Sequence, residues 1–431
     1  MNLLIENISV IPVADEPITI EKGYVVIEDN IIKAVGEGIA PRGDYDKIID
    51  GTDRVVLPGF INTHTHAAMT LLRGYADDLP LMEWLEQKIW PLEAKLTPED
   101  IYWGTMLAIV EMIKSGTTSF TDMYFFMDEV AQAVESSGIR GFLARGMVGV
   151  GPERDQAITD SIALHKKWQG GANGRITFML GPHAPYTCPP EYLTKVIDLA
   201  KDLDSYIHIH VSETLTEFND TKNDYGKTPV KHLQDLGLFE QKVIAAHCVH
   251  LTDEDMKILY DNRVGVAHNP ESNMKLASGI APVVELLNMG IPVSLGTDGA
   301  SSNNNLDMLQ EMRSSSLLQK VNNMDPTVLP AYQALEMATR NGAWGLGVEE
   351  ELGQIKAGMK ADMILISLEE ANMIPNYDLM ANIVYAAQAS DVDTVIIDGQ
   401  IIMENRIIKT LNEQEVLSRA RQIGQRLVGG L

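Results

Sequence analysis

Two histidines separated by one residue, His64 and His66, follow a nearly all-apolar run in the sequence RVVLPGFINTHTH. Residues i and i+2 of a β-strand face the same side, so both imidazoles can point together and bind one metal ion. A lone buried histidine is more often a hydrogen-bonded core residue than a ligand. The metal interpretation therefore depends on whether other ligand types come to the same place.

Most of the other histidines also lie where strand-like runs end. The chain has ten histidines, and eight of them occupy such ends: His64, His66, His183, His208, His210, His247, His250 and His268. Asp298, in SLGTDG, ends a further run. In IHIHVSE, His208 and His210 are also two residues apart and share one face of the strand. His210 is nearer the end of the strand, so we expect His208 to pack behind the site.

Three imidazoles and a carboxylate, from His64, His66, His210 and Asp298, form a ligand set that suits Zn²⁺, with Fe²⁺ as a competitor. A water molecule on such a metal has its pKa lowered from about 16 to roughly 7 and becomes a nucleophile. Asp298 and His247 are expected to contact this water. Glu213 follows His210 by three residues and is a candidate proton shuttle. The alternative for Glu213 is a solvated carboxylate at a strand end.

These residues need a scaffold that gathers strand ends on one rim. Short β-rich runs alternate with helical patterns, and strands are predicted at 56–62, 117–122, 141–146, 176–181, 206–210, 243–247, 264–268 and 292–297. Eight β-then-α units in about 290 residues match a (β/α)8 TIM-like barrel of the α/β class, whose chemistry sits at the C-terminal ends of its strands. A doubly wound open sheet is the main structural alternative.

The two ends of the chain have a different pattern from the middle. Residues 1–56 and 356–431 contain short β-like runs separated by turn residues, ending in a helix from about residue 413. We expect them to pair into one small composite β-sandwich domain beside a catalytic barrel spanning 57–355. Two unrelated β-flaps are the alternative.

Composition limits the partners. With 60 acidic and 34 basic side chains, the formal net charge of −26 disfavours phosphate backbones, so we expect no nucleic-acid partner. Two cysteines are too few for a disulfide framework and fit the reducing cytoplasm. The sequence contains no apolar run of the ~18 residues that span a bilayer, so we expect no membrane partner. A homo-oligomer acting on a small molecule is expected.

The longer motifs carry a family resemblance: LPGFINTHTHAAMTLLRG, HIHVSE, AAHCVHL, AHNPESNMKLASGIAP and SLGTDGASSNNNLDM. They resemble the amidohydrolase superfamily, and within it the deaminases that act on 5'-methylthioadenosine and S-adenosylhomocysteine. The resemblance implies one catalytic divalent metal, normally zinc, on His64, His66, His210 and Asp298. It also implies that Glu213 relays a proton to the purine ring nitrogen and that His247 and Asp298 handle the hydrolytic water.

The resemblance further implies substrate contacts by Glu213 and Asp298 and by four other residues. His183 matches a substrate-binding position, and Glu93 matches an acidic residue that binds the ribose hydroxyls. Arg145 matches an arginine near the distal end of the substrate, and Arg154 is aligned with the amino-acid tail. The structural alternatives are a helix cap for Glu93 and ion pairing for Arg145.

The predicted reaction is hydrolytic deamination of the adenine ring, giving 5'-methylthioinosine or S-inosylhomocysteine and ammonia. Dinuclear relatives carry a bridging lysine at the end of strand four, but here that strand reads ITFMLGPHA, so one metal is favoured over a dinuclear amidase. The same machinery could instead deaminate adenosine, 5'-deoxyadenosine, guanine, 8-oxoguanine, cytosine or a triazine. A catalytically inactive barrel that serves as an assembly subunit is the alternative from another class.

Overall fold

The computed structural model describes residues 2–429, whose strands form two separate sheets. The first sheet has nine strands: β1 (Asn2–Val10), β2 (Ile20–Glu28), β3 (Ile31–Glu37), β4 (Lys47–Asp50), β5 (Arg54–Pro58), β14 (Met363–Ser367), β15 (Val392–Ile397), β16 (Gln400–Glu404) and β17 (Ile407–Ile408). The second has eight: β6 (Phe60–Thr65), β7 (Thr117–Tyr124), β8 (Arg140–Met147), β9 (Ile176–Pro182), β10 (Ile207–Val211), β11 (Val243–His247), β12 (Gly265–His268) and β13 (Val293–Leu295).

The eight-stranded sheet is a parallel barrel, which confirms the predicted fold class. Its strands follow one another in chain order from β6 to β13, and every pair is parallel. The last strand returns to the first: the Asp298 backbone N–H donates to the His64 carbonyl at 2.9 Å, and the Thr63 hydroxyl donates to the Leu295 carbonyl at 2.8 Å. Residues from both ends of the barrel sequence therefore meet at one seam.

The helices lie between the strands and after them. They are α1 (Leu81–Trp84), α2 (Trp90–Glu93), α3 (Pro98–Lys114), α4 (Met127–Ser137), α5 (Arg154–Trp168), α6 (Gly171–Gly174), α7 (Pro190–Leu203), α8 (Leu215–Tyr225), α9 (Pro229–Asp235), α10 (Asp253–Asp261), α11 (Pro270–Lys275), α12 (Val283–Asn288), α13 (Met308–Asn323), α14 (Ala331–Ala338), α15 (Arg340–Gly345), α16 (Leu379–Tyr385) and α17 (Glu413–Val428). A 3₁₀ turn at Ala67–Leu72 follows β6, and a π-helical turn at Leu85–Ile89 joins α1 to α2. Among residues 2–429, no helix has the length and apolar character needed to span a bilayer.

The predicted strand at 56–62 is wrong, because the chain divides it between the two sheets. β5 ends at Pro58 and pairs with β14 and β1, whereas β6 begins at Phe60 and pairs with β7. Gly59 separates them, and a Cβ at this position would lie 2.1 Å from the Thr118 side chain. A continuous apolar run thus serves two sheets because a glycine lets the backbone pass close to β7.

The nine-stranded sheet is built from both ends of the chain, as expected. β5 pairs antiparallel with β14, which joins the N-terminal strands to the C-terminal ones in a single hydrogen-bonded sheet. Arg140, at the start of β8, connects this sheet to the barrel through the carboxylate of Asp362, with N–O distances of 2.9 and 3.1 Å. The expected boundary after residue 56 falls inside β5, and we propose Gly59 as the junction between the two domains.

Candidate active site

A cavity of about 1170 Å³ opens at the C-terminal ends of the barrel strands. It is lined by most of the residues that the sequence singled out: His66, Glu93, Arg145, His183, His210, Glu213, His247 and Asp298. His64 lies directly beneath, fully buried, with its ring centroid 5.0 Å from that of His66 and 4.8 Å from that of His210. The strand ends therefore bring the predicted chemistry into one place.

The three candidate metal-binding histidines are each held by the ring nitrogen that faces away from the others. Nδ1 of His66 donates to the Met123 carbonyl at 2.7 Å, and Nδ1 of His210 donates to the His183 carbonyl at 2.6 Å. Nδ1 of His64 lies 2.9 Å from Nε2 of His208. A carbonyl can only accept, so Nδ1 carries a proton in His66 and His210. In the neutral form of each ring, Nε2 is then left with a lone pair that faces the cluster.

Asp298 faces these lone pairs from the seam between β13 and β6. Its Oδ1 lies 3.4 Å from Nε2 of His64 and 3.4 Å from Nε2 of His66. Its Oδ2 accepts hydrogen bonds from the hydroxyls of Ser272 at 2.6 Å and Ser302 at 3.1 Å. Because two hydroxyls hold Oδ2 of Asp298 in place, Oδ1 is oriented toward the imidazole rings of His64 and His66.

The arrangement fits a bound cation. Nε2 of His210 lies 3.3 Å from Nε2 of His66, and the buried Nε2 of His64 has no hydrogen-bond partner among the described residues. Burial lowers the pKa of His64 to about 4, so this ring is neutral. Imidazole nitrogens and a carboxylate oxygen that converge at these distances form a donor set that suits a divalent cation between them.

His247 and Glu213 lie beside the cluster and face each other. Nε2 of His247 is 3.8 Å from Oε2 of Glu213, and Nδ1 of His247 lies 2.9 Å from Oδ1 of Asn273. Burial alone would lower the pKa of His247, but the carboxylates of Glu213 and Asp298 raise it above its ordinary value. Both groups can therefore hold or pass a proton near neutral pH.

Glu217, in the first turn of α8, fixes the backbone that carries Glu213. Its two carboxylate oxygens accept the backbone N–H groups of Ser212 at 3.0 Å and Glu213 at 2.8 Å. The Thr214 hydroxyl caps α8 by accepting the N–H of Glu217 at 3.1 Å. Sequence reasoning missed Glu217, although a carboxylate four residues after Glu213 was a usable signal.

Several site residues have left-handed backbone conformations that non-glycine residues seldom adopt. The φ angles are 52° at Ser212, 73° at His247 and 61° at Asp298. Each such residue costs of the order of 1–3 kcal/mol, which the surrounding hydrogen bonds offset. All three lie at or just beyond the ends of β10, β11 and β13, where the chain turns, and His247 and Asp298 line the cavity.

Glu93 reaches the cavity from α2 and is held by Tyr124 of β7. The Tyr124 hydroxyl donates to Oε1 of Glu93 at 2.5 Å. Burial raises the pKa of Glu93, and the hydrogen bond from Tyr124 acts in the opposite direction. Tyr124 was not predicted as a site residue, since a tyrosine within a strand carries no motif of its own.

His183 and Arg145 complete the wall of the cavity. Nδ1 of His183 lies 3.0 Å from the Thr187 hydroxyl, and burial lowers its pKa to about 3, so the ring is neutral. The Arg145 guanidinium lies over the Phe125 ring, 5.9 Å from its centroid, and donates to the Gly146 carbonyl.

Arg154 is placed differently from the other predicted residues. It is the first residue of α5, is exposed, and is not among the residues that line the cavity. The cavity side of α5 instead presents Gln156 and Asp160.

Three of the histidines at strand ends, His208, His250 and His268, are not among the residues that line the cavity. His208 supports His64, and Nε2 of His250 lies 2.7 Å from the Ser278 carbonyl.

The chain belongs to the amidohydrolase family, whose sequence model matches residues 55–402. It is therefore a metal-dependent hydrolase of the kind that acts on C–N bonds. A relative from Syntrophomonas wolfei, named 5-methylthioadenosine/S-adenosylhomocysteine deaminase, is 70% identical over the full length of both chains.

Two solved structures share the fold. A zinc-bound adenosine deaminase from Xanthomonas campestris is 35% identical, with a TM-score of 0.95 over 99% of this chain and 98% of its own. An atrazine chlorohydrolase from Arthrobacter aurescens has a TM-score of 0.92 over 98% and 100% of the two chains. At 24% identity the second likeness concerns the fold alone. The family, the zinc-bound neighbour and the histidine–aspartate cluster together support a bound metal ion.

Proposed function

We propose that this protein hydrolytically deaminates the adenine ring of 5'-methylthioadenosine and S-adenosylhomocysteine, giving 5'-methylthioinosine and S-inosylhomocysteine with release of ammonia. The observation that carries the proposal is the order of groups in one cavity. The histidine–aspartate cluster lies at its base, Glu93 is held on the wall by Tyr124, and Arg145 lies farther along. The 70% identical relative is named for these two substrates.

His64, His66, His210 and Asp298 would hold one Zn²⁺, with Fe²⁺ as a competing ion. The metal, when bound, supplies a water molecule whose pKa is low enough for nucleophilic attack near neutral pH. The hydrogen bonds to Nδ1 of the histidines and to Oδ2 of Asp298 hold the four ligand atoms in place before any ion arrives.

The protein's own residues move the protons. Glu213 protonates the ring nitrogen next to C6 of the purine, which makes C6 electrophilic. Asp298 and His247 hold the water and take its proton as its oxygen bonds to C6. The proton taken from the water then passes to N6, the C6–N6 bond breaks and ammonia leaves. The oxygen on C6 returns its remaining proton to Glu213 and becomes a carbonyl, so water and the amino group are exchanged with no change of oxidation state.

The remaining predicted residues would position the nucleoside. Glu93 would accept hydrogen bonds from the ribose hydroxyls, and neutral His183 would contact the substrate beside the cluster. Arg145 would face the distal end, where a carboxylate of S-adenosylhomocysteine can bind. Arg154, at the exposed start of α5, stays a predicted contact to the amino-acid tail.

The test compares kcat/KM for deamination of 5'-methylthioadenosine, S-adenosylhomocysteine, adenosine, 5'-deoxyadenosine, guanine, 8-oxoguanine, cytosine and a triazine. We expect the two thioether nucleosides to be the best substrates. A Glu93→Gln variant should lose at least about tenfold on both, since a charge-assisted hydrogen bond to the ribose is weakened. Unimpaired turnover by Glu93→Gln, or a better rate on guanine or a triazine, would contradict the assignment.

We also expect the protein to act in the cytoplasm as a homo-oligomer. Both cysteines are free and buried, as suits a reducing compartment. Light scattering on the purified protein would measure the oligomeric state, and a monomer at micromolar concentration would contradict this expectation.

A further inference from the structure

Aromatic side chains line the cavity wall in an order that leads away from the metal-site residues. The His66 ring centroid lies 6.3 Å from that of Tyr124, and the Tyr124 and Phe125 centroids are 5.0 Å apart. The Arg145 guanidinium lies over Phe125. A purine placed beside the metal-site residues, with its ribose at Glu93, would therefore direct the 5'-substituent toward Arg145.

A second, oppositely charged group stands beside Arg145. Oδ2 of Asp160 lies 3.8 Å from Nη2 of Arg145, which is an ion-pair distance but too long for a hydrogen bond. Gln156, one helical turn earlier on α5, donates to the other oxygen of Asp160 at 2.8 Å. Asp160 is thus oriented by Gln156, and its Oδ2 remains able to accept a hydrogen bond from a ligand.

The exposure of the two side chains fits a ligand-binding pair. The Arg145 side chain is 13% exposed and the Asp160 side chain 39% exposed, and both line the cavity. Arg145 is already held by the Gly146 carbonyl and by Phe125, so Asp160 is not needed to fix it. Asp128, another acid on this wall, is engaged by Lys167 at 2.5 Å and Trp168 at 2.7 Å.

We propose that Asp160 binds the α-ammonium group of the homocysteine part of S-adenosylhomocysteine while Arg145 binds its carboxylate. The inference rests on the proposed function and deepens it, because it assigns the recognition of the zwitterionic tail to a residue outside the family motifs. The Arg145 guanidinium and the Asp160 carboxylate lie 3.8 Å apart. One can therefore bind the carboxylate of an α-amino acid while the other binds its ammonium group. 5'-Methylthioadenosine has no such charges and does not use the pair.

The test uses Asp160→Asn, which keeps an oxygen for Gln156 but removes the negative charge. Three substrates are compared: S-adenosylhomocysteine, its desamino analogue with the carboxylate but no ammonium, and 5'-methylthioadenosine. We expect kcat/KM for S-adenosylhomocysteine to fall at least about 5-fold, with the other two substrates changed less than about 2-fold. Glu153→Gln removes another acid from the same wall and should leave all three within about 2-fold.

Each other result overturns the inference. An equal fall on S-adenosylhomocysteine and its desamino analogue would mean that Asp160 only positions Arg145. A rise in kcat/KM for S-adenosylhomocysteine or for its desamino analogue would mean that Asp160 competes with the substrate carboxylate for Arg145. An unchanged kcat/KM for S-adenosylhomocysteine would mean that Asp160 does not bind the amino-acid tail. Turnover of 5'-methylthioadenosine by the unmodified protein tests the proposed function separately. If that is absent, the Kd of S-adenosylhomocysteine measured calorimetrically on both forms still tests Asp160.

Discussion

Glu213 has the surroundings that a proton shuttle needs. Burial raises its pKa above the ordinary value, the nearby His247 lowers it, and the negative charge of Asp298 raises it again. The net rise brings the carboxyl closer to neutral pH, where it can both donate and accept. Glu217 keeps the group in place through two backbone N–H donors rather than through the Glu213 side chain itself.

Replacing Glu213 with Gln should lower kcat for 5'-methylthioadenosine by about 10²- to 10⁴-fold, since the amide cannot deliver a proton. The bound metal should be unchanged, because Glu213 is not one of the four proposed ligands. Steady-state kinetics together with metal analysis of the same preparation make the measurement. A variant that retains more than about a tenth of the kcat would remove Glu213 from the mechanism.

Tyr124 is expected to position Glu93 for binding the ribose. Tyr124→Phe removes the hydroxyl that holds Glu93, so we expect KM for 5'-methylthioadenosine to rise about 3- to 10-fold with little change in kcat. The matched control is 2',3'-dideoxyadenosine, which lacks both ribose hydroxyls and should be turned over equally by the two forms. A similar loss on the dideoxy substrate would assign Tyr124 a structural role instead.

At the scale of elements, the site depends on how β6 and β13 are held at the seam of the barrel. Strand positions could be predicted from apolar runs, and seven of the eight expected strands overlap the observed ones closely. The sequence does not show that the run from Val55 to Asn62 is divided between two strands, because both halves are equally buried. The halves differ only in the strands with which they pair, β14 for the first and β7 for the second. Pairing between distant segments is decided by tertiary packing rather than by local pattern.

Gly59 tests this division directly. Gly59→Ala places a Cβ 2.1 Å from Thr118, so we expect the free energy of unfolding to fall by about 1–3 kcal/mol. Gly424→Ala is the control, since nothing lies within 4 Å of a Cβ on that residue of α17, and alanine there should be neutral or stabilising. Urea denaturation of both variants makes the comparison, and equal stabilities would show that the close approach at Gly59 is unimportant.

At the scale of the whole molecule, the barrel explains why distant motifs form one site. The cluster itself was predictable, because parallel strands in a barrel place all their C-terminal ends on one rim. The part of the cavity wall formed by α5 could not be predicted, because the rotation of that helix about its axis decides which of its residues face the cavity. Asp160 lines the cavity and Arg154 does not. Tyr124 was likewise hidden, since its role depends on contact with a segment 31 residues away.

One metal ion, held by His64, His66, His210 and Asp298, should be enough to make this protein a deaminase. Metal-free protein titrated with Zn²⁺ and assayed with 5'-methylthioadenosine measures this most directly. We expect ammonia release to rise linearly and to reach its plateau at about one equivalent of zinc per chain. A plateau at two equivalents, or no ammonia release at any zinc concentration, would contradict it.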